Sequence, residues 1–175
     1  MTDIQWHNDI IDAFKANNIR MVAHVADTVL APIISAMEDD PFFRVVTLSR
    51  EEEGIGLLTG AYLGGIRGAL LLQASGLGNT INGFGSLALP YQIPFVVLLS
   101  QRGSYFEHNI VQIPGGKVTD GILHALDIQT FDLVRPDEVA FVAERGMRHA
   151  FVSRKPVALT ITTQLSGGKS GSRTA

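Results

Sequence analysis

The chain has 175 residues, 46% of them hydrophobic and 18% charged, and its formal net charge at pH 7 is −3. This length suffices for one domain with a substantial core, and the scattered basic residues argue against nucleic acid as a partner. The absence of cysteine excludes disulfides, thiolate metal sites and cysteine nucleophiles. No apolar run is long enough to span a membrane, and the N-terminus lacks the features of a signal peptide, so we expect no membrane partner and a cytoplasmic location.

Helical and strand patterns alternate from the start of the chain. Apolar residues at helical spacing predict a helix over residues 6–14, and continuous apolar runs predict strands at 19–25 and 43–48. Asp27 stands where an N-cap would open the helix between these strands. Ser49 and Glu52 form an S-x-x-E capping box that opens a further helix. Five glycines in this helix suggest close approach of its backbone to a neighbour.

The second half of the chain continues this alternation. Apolar runs at 69–74 and 95–100 predict strands that are joined by SGLGNT and a helix ending near residue 90. A long polar and glycine-rich connection is predicted up to residue 117, followed by a short helix capped by Thr119. Two more strands flank a helix that has Pro136 at its first position. The pattern predicts an α/β fold with a six-stranded parallel sheet covered on both faces.

The C-terminal residues differ from the rest in composition. The sequence LSGGKSGSRTA is rich in glycine and serine, which is typical of flexible linkers. We therefore expect one domain over residues 1–164 and a flexible tail over 165–175. GGKSG resembles the end of a P-loop, but Thr163 replaces the first glycine of that motif, so it gives little support for a nucleotide site.

Polar residues follow the predicted strands at the edge where open parallel sheets bind ligands. SGLGN could cradle a phosphate at a helix N-terminus. The dinucleotide fingerprint nevertheless fails, because Ile81 stands at the position of its third glycine. The polar residues that follow the first four strands are His24 and Asp27, Arg50 to Glu53, Gln73 to Asn79, and Gln101 to Gly103.

These polar residues also have structural interpretations. Glu52 could complete the capping box while Glu51 and Glu53 complement the helix dipole, and the local sequence pattern favours this interpretation. The functional interpretation is that one carboxylate hydrogen-bonds a buried heterocycle. Four other residues also have structural interpretations. They could be a histidine at a strand end, a helix N-cap, a buried amide and a solvated loop residue, respectively: His24, Asp27, Gln73 and His108.

Three linked segments give a more specific signal: REEEGIGLLTGAYLGG, LLLQASGLGNTINGFGSL and IPFVVLLSQRG. In this order they resemble the pyrimidine-binding (PYR) domain of thiamine diphosphate enzymes. Within that family the chain is most similar to the sulfopyruvate decarboxylase alpha subunit and to phosphonopyruvate decarboxylase, over almost its whole length. QIPGGKVT, after the RG dipeptide, resembles the corresponding segment of those decarboxylases.

The resemblance implies roles for individual residues. In the family, a glutamate ten residues before a tyrosine hydrogen-bonds N1′ of the cofactor's aminopyrimidine, and counting back from Tyr62 places it at Glu52. Asp27 matches an acidic residue that assists proton transfer, although the usual preceding proline is absent, and His24 would help to bind an anionic substrate. The implied cofactor-binding residues are Glu52, Gln73, Gly76, Leu77, Gly78 and Asn79. The implied substrate-binding residues are Gln73, Gln101, Arg102, His108 and Gln112.

The resemblance also implies a partner chain. The family binds the diphosphate through Mg²⁺ with a GDG motif, and no GDG occurs in this sequence. Thiamine diphosphate and Mg²⁺ are therefore expected to be shared with a diphosphate-binding (PP) beta subunit that carries this motif. No metal-binding residue is expected on the present chain. The expected assembly is α2β2 or larger.

The implied reaction is decarboxylation of a short 2-oxo acid with a second anionic group to an aldehyde and CO₂. Sulfopyruvate is the first expected substrate and phosphonopyruvate the second. Two alternatives stay open on the sequence. The chain could belong to another thiamine-dependent lyase or carboligase, or it could be a non-catalytic binding module that kept the fold.

Overall fold

The computed structural model describes residues 3–105 and 107–167. Its helices are α1 (Asp3–Ala16), α2 (Ala31–Glu38), α3 (Glu51–Leu63), α4 (Leu77–Gly83), α5 (Gln112–Ala125), α6 (Val139–Ser153) and α7 (Thr163–Ser166). Its strands are β1 (Ile19–His24), β2 (Arg44–Thr47), β3 (Arg67–Gln73), β4 (Val96–Ser100), β5 (Gln129–Leu133) and β6 (Val157–Ile161). A 3-10 turn, Ala74–Gly76, precedes α4, and a π-helical segment, Phe84–Ala88, follows it. Within the described ranges no helix is long and apolar enough to cross a membrane.

The six strands form one parallel sheet in the order β2-β1-β3-β4-β6-β5. This confirms the predicted α/β fold and its six-stranded parallel sheet. From β1 the chain first adds β2 on one side and then β3 on the other side. Ligands of open parallel sheets bind beyond the carboxyl ends of the strands beside such a switch point, so the topology singles out the ends of β1 and β3.

The sheet separates two hydrophobic layers. Leu71 and Leu98 belong to the cluster that packs beneath α1, α2 and α6. Leu70 and Leu99, their neighbours in sequence, belong to the cluster beneath α3, α4 and α5. Successive side chains of a strand point to opposite faces, so a strand covered on both sides is apolar at every position. This explains why the central strands appear in the sequence as continuous apolar runs.

The start of α3 differs from the predicted capping box. The helix begins at Glu51 with Arg50 as its N-cap, so the pairing of Ser49 with Glu52 does not form and that prediction is wrong. The backbone N–H of Ser49 instead donates to Oε2 of Glu53 at 3.1 Å. The helix starts one residue later than the motif requires. The carboxylate that accepts the backbone N–H before the helix is therefore that of Glu53 and not that of Glu52.

Two other helix starts were also predicted too early. Oδ1 of Asp27 accepts the N–H groups of Val29 and Leu30, but α2 begins only at Ala31. Asp27 therefore organises the turn before the helix and is not its N-cap. Helix α6 begins at Val139, so Pro136 precedes its first turn.

Helix α5 begins seven residues before the predicted Thr119 cap and includes part of the predicted connection. Thr119 lies inside the helix, where its hydroxyl donates to the carbonyl of Gly115 at 3.1 Å. Pro114, Gly115 and Gly116 are poor helix formers, which is why the sequence pattern missed this turn. A Cβ at Gly116 would lie 2.5 Å from the carbonyl carbon of Arg102, so tertiary packing requires glycine there.

The glycines of α3 have different surroundings. A Cβ at Gly54 would lie 2.5 Å from Cδ1 of Leu70, so the helix does approach β3 closely at this position. Gly56 and Gly60 face open space with respect to the described residues. The predicted close backbone approach therefore holds at Gly54 and is wrong at Gly56 and Gly60.

The packed part of the chain continues into the predicted tail. Leu165 lies in α7, is 5% exposed and belongs to the core cluster beneath α1, α2 and α6. The hydroxyl of Thr162 accepts its N–H at 3.3 Å. The packed domain therefore extends at least one residue beyond 164. Residues 168–175 of the predicted tail lie outside the described residues.

Candidate active site

The carboxyl edge of the sheet collects buried polar atoms that lack a partner. Buried polar side-chain atoms in proteins are nearly always hydrogen-bonded, so a cluster of exceptions indicates where a ligand or partner surface would bind. Within the described part of the chain, the atoms of this kind at the edge are His24 Nδ1, Glu52 Oε2, Ser100 Oγ, Gln112 Oε1 and Thr163 Oγ1.

Asp27 and Gln73 meet at the switch point between β1 and β3. The Nε2 group of Gln73 donates to Oδ2 of Asp27 at 2.8 Å, and Oε1 of Gln73 accepts from the hydroxyl of Ser75 at 2.8 Å. Oδ1 of Asp27 is occupied by two backbone N–H groups at the start of the α2 turn. Asp27 is only 7% exposed. Its carboxylate is therefore held in one orientation, and Gln73 is the side chain that fixes its outer oxygen.

His24 ends β1 beside this pair. Its Nε2 lies 3.1 Å from the hydroxyl of Thr47, which ends the neighbouring strand β2. Burial lowers the pKa of His24 below its usual value. The ring is therefore neutral at physiological pH and can offer a hydrogen bond, not a charge, to an anion at this edge.

Glu52 lies in the first turn of α3. Its Oε1 is 2.5 Å from Nε of Arg50, while Oε2 is shielded from solvent and lacks a hydrogen-bond partner among residues 3–105 and 107–167. Its own backbone N–H, followed by the Arg50 guanidinium, holds the pKa of the Glu52 carboxyl below its usual value. The site thus presents an ionised carboxylate with one oxygen available.

Glu51, and not Glu52, contacts the SGLGN segment. Nδ2 of Asn79 donates to Oε2 of Glu51 at 2.8 Å. The Glu51 side chain also lies directly against Gly76, whose missing Cβ would meet it. A carboxylate against this turn would repel a phosphate, and α4 has only seven residues. The hypothesis that SGLGN cradles a phosphate is therefore disfavoured.

Arg102 and Glu107 form a buried ion pair after β4. Nε and Nη2 of Arg102 donate to the two carboxylate oxygens of Glu107 at 2.8 and 2.6 Å, and the side chains are only 6% and 8% exposed. Glu107 also accepts the N–H groups of Gly103 and Asn109. These donors, the guanidinium first, lower the pKa of Glu107 to about 2. Asp27 contributes to raising the pKa of Arg102, after the larger effect of Glu107.

No sequence motif singles out Glu107. An Arg–Glu spacing of five in a loop has no periodicity to reveal it. His108, which was predicted to contact substrate, is exposed. Gln101 is engaged through Oε1 with the N–H of Thr163 at 3.0 Å.

The structure therefore joins the predicted residues into pairs. Gln73 holds Asp27, Asn79 holds Glu51, and Arg102 lies within electrostatic reach of Asp27. It does not bring His108 into these contacts. No group of three or more His, Asp or Glu side chains that could hold a metal ion occurs in the portion of the chain that the structure describes.

No family model matches the chain. It is similar to the sulfopyruvate decarboxylase subunit alpha of Methanococcus maripaludis, with 36% identity over 152 residues that cover 87% of this chain and 91% of that subunit. It is also similar to the phosphonopyruvate decarboxylase of Streptomyces viridochromogenes, with 32% identity over 126 residues that cover 69% of this chain and 31% of that enzyme.

A solved structure shares the fold. The 2-oxoglutarate:ferredoxin oxidoreductase from Magnetococcus marinus superposes with a TM-score of 0.69 and 13% identity, covering 92% of this chain and 29% of that one. At this identity the likeness concerns the fold alone.

Proposed function

The chain belongs to the family of sulfopyruvate decarboxylase alpha subunits, and on this premise we propose that it is the PYR subunit of a two-chain, thiamine diphosphate-dependent 2-oxo acid decarboxylase. Sulfopyruvate is the proposed substrate, and phosphonopyruvate is the second candidate because decarboxylases of that name are also related to the chain. The products would be the corresponding aldehyde and CO₂. A cytoplasmic location stays a prediction of the sequence.

The state of Glu52 carries this proposal. In its imino tautomer the pyrimidine of thiamine diphosphate carries a hydrogen on N1′, which a carboxylate in a shielded site can accept. Glu52 is ionised, and its shielded Oε2 has no hydrogen-bond partner within the described ranges. The residues present therefore fit the group. When bound, thiamine diphosphate supplies a nucleophilic carbon and an electron sink for the loss of CO₂.

The remaining site residues have distinct proposed roles. Asp27, held by Gln73, would move a proton at the reacting end of the substrate. Neutral His24 would donate a hydrogen bond to the carboxylate of the substrate. The turn at 76–79 lines the cofactor side of the site. Nε and Nη2 of Arg102 are occupied by Glu107, so its proposed contact with the second anionic group uses Nη1, with Gln101 and Gln112 as further polar contacts. His108 is the least supported of the predicted substrate contacts because it is exposed.

The charge distribution supports a partner subunit. Between Gly54 and Ser100 the only charged residue is Arg67. This segment includes α4 and the part of α3 after its three glutamates, whose outward positions are glycine and uncharged side chains such as Leu63 (75% exposed) and Ile81 (41% exposed). An uncharged surface beside the site suits burial against another subunit. We propose that a PP-domain beta subunit binds here and supplies the GDG motif and Mg²⁺, in an α2β2 or larger assembly.

Calorimetry of thiamine diphosphate with Mg²⁺ tests the proposal, first with this chain alone and then with the chain mixed with its candidate beta subunit. We expect no binding to the chain alone, binding to the mixture, and turnover of sulfopyruvate to an aldehyde. Glu52→Gln should fold normally and lose at least about a hundredfold in turnover, because an amide cannot exchange a proton with the ring nitrogen of the cofactor.

The matched control is Glu53→Gln, which changes the adjacent carboxylate that faces the backbone of Ser49. It should retain turnover. Normal turnover by Glu52→Gln, or a mixture that does not bind thiamine diphosphate, would contradict the proposal. A product analysis that scores aldehyde against ligated product separates decarboxylation from carboligation.

A further inference from the structure

Three consecutive glutamates begin α3, and each has a different environment. Side chains one residue apart on a helix diverge by roughly 100°, so neighbours cannot share a contact. Glu53 accepts the backbone N–H of Ser49, and Glu52 pairs with Arg50 on one oxygen. Glu51 points to the turn that follows β3. The proposed function uses only Glu52 of the three.

Glu51 holds that turn at two points. At one end, an ideal Cβ built on Gly76 would lie 2.5 Å from Cδ and 2.8 Å from Cγ of Glu51, so the side chain fills the space that glycine leaves. At the other end, Nδ2 of Asn79 donates to its Oε2 at 2.8 Å. One steric contact and one charge-assisted hydrogen bond therefore connect the start of α3 with both ends of residues 76–79.

The turn is also constrained by the apolar core, because Leu77 is fully buried in the cluster beneath α3, α4 and α5. It passes from the 3-10 turn Ala74–Gly76 into the short helix α4, and Gly78 faces open space with respect to the described residues. Helix α5 is a further close neighbour, since a Cβ on Gly115 would lie 3.2 Å from Cβ of Ser75. Leu77 thus anchors the turn in the core, and Glu51 adds a contact from the start of α3 that bridges Gly76 and Asn79.

We propose that Glu51 is a positioning residue that locks residues 76–79 against the start of α3 and so sets the distance between this turn and the Glu52 carboxylate. The structural part of this inference concerns the chain alone. Its consequence for cofactor binding rests on the proposed function. Glu51 itself acts through Gly76 and Asn79 and contacts neither cofactor nor substrate.

Amide hydrogen exchange on the chain alone tests the structural part. Glu51→Ala should accelerate exchange at residues 76–80, whereas Glu51→Gln should stay close to the wild type because its amide oxygen still accepts from Asn79. Glu53→Gln is the matched control and should leave this turn unchanged. Equal exchange in the wild type and Glu51→Ala would overturn the proposal.

A second experiment uses the steric contact. Gly76→Ala should destabilise the chain, because its Cβ would collide with Glu51. In the Glu51→Ala background the same substitution has room, so Gly76→Ala should cost much less in denaturant unfolding. An equal cost in both backgrounds would show that Glu51 does not determine the space at Gly76, and would overturn the proposal.

The complex with the beta subunit tests the catalytic consequence. Glu51→Ala should raise the concentration of thiamine diphosphate needed for half-maximal activity by roughly tenfold, as expected for loss of one charge-assisted hydrogen bond, with a smaller change in kcat. Glu51→Gln should restore most of this affinity. An unchanged thiamine diphosphate requirement in Glu51→Ala would refute the positioning role even if the turn is loosened.

The two proposals fail in different ways. If the wild-type complex does not bind thiamine diphosphate at all, the proposed function fails, while the exchange and unfolding results still decide whether Glu51 locks the turn. If the wild-type complex binds it and Glu51→Ala behaves identically in all three experiments, only the positioning role fails.

Discussion

Two Arg–Glu ion pairs lie at the carboxyl edge of the sheet, and they differ in burial. Arg50 and Glu52 share a single contact of 2.5 Å with side chains that are 63% and 38% exposed. Arg102 and Glu107 share two contacts, and their side chains are 6% and 8% exposed. The same two residue types therefore form one partly exposed ion pair with a single contact and one buried ion pair with two contacts.

The difference follows from solvation. An exposed pair gains little because water and salt screen it and two long side chains lose freedom. A buried pair must offset the loss of hydration, which Glu107 does through two guanidinium contacts and two backbone N–H groups. The exposed pair leaves Glu52 available for a ligand, whereas the buried pair fixes the loop that carries Arg102.

The largest effect is expected from breaking the buried pair. Glu107→Ala should lower the free energy of unfolding by about 3 kcal/mol, because Arg102 would stay buried without its counter-charge. Urea denaturation of the chain alone measures this. Replacing both residues, as in Arg102→Met with Glu107→Met, should recover part of the loss, since no charge is left unpaired. A Glu107→Ala chain as stable as the wild type would contradict the contrast between the pairs.

The second prediction concerns pH. The pKa of Glu107 is about 2 in the folded chain against its usual value of 4.5, so its carboxylate stabilises the fold above about pH 4.5. This stabilisation should be lost progressively as the pH falls from about 4.5 to about 2, because protonation removes the charge that Arg102 binds. The difference in unfolding free energy between the wild type and Glu107→Gln should therefore shrink over this window. A difference that is independent of pH would show that the ion pair contributes nothing.

A smaller effect is expected at Gly103, which turns the loop between the two members of the buried pair. Its φ is +71°, and a Cβ would lie 2.9 Å from the carbonyl oxygens of Gln112 and Ile113. Gly103→Ala should cost about 2 kcal/mol in unfolding free energy through left-handed strain and this contact. Gly121→Ala, on the same face of the sheet but in open space with respect to the described residues, is the control and should be neutral or mildly stabilising. Equal effects at both glycines would refute the argument.

The smallest effect is expected from breaking the exposed pair. Arg50→Gln should leave the denaturation midpoint of the chain unchanged, because the pair is partly exposed and solvent screens its attraction. The pKa of Glu52, followed by NMR titration of its side-chain carboxyl, should rise toward its usual value as one of its stabilising partners is lost. A large loss of stability in Arg50→Gln would mean that the two pairs are equivalent after all.

The sequence alone determined the α/β class and the number of strands, and it predicted the edge of the sheet where the candidate site lies. Apolar runs and turn residues are local properties of neighbouring residues, and the parallel sheet follows from their alternation with helices. The S-x-x-E motif and the weak helix formers of α5 misplaced helix starts, because a helix can begin one residue later or include Pro114 and two glycines when packing requires it.

Only the tertiary structure decided which side chains meet. Glu51 reaches Asn79 across 28 positions, and Asp27 reaches Gln73 across 46 positions. The local S-x-x-E pattern selected Glu52 among three adjacent glutamates for a capping pair that does not form, and no local pattern drew attention to Glu107. A helix rotation of roughly 100° per residue separates their directions, but which direction faces the turn, solvent or backbone depends on how α3 docks on the sheet. That docking is set by long-range packing, which no local pattern records.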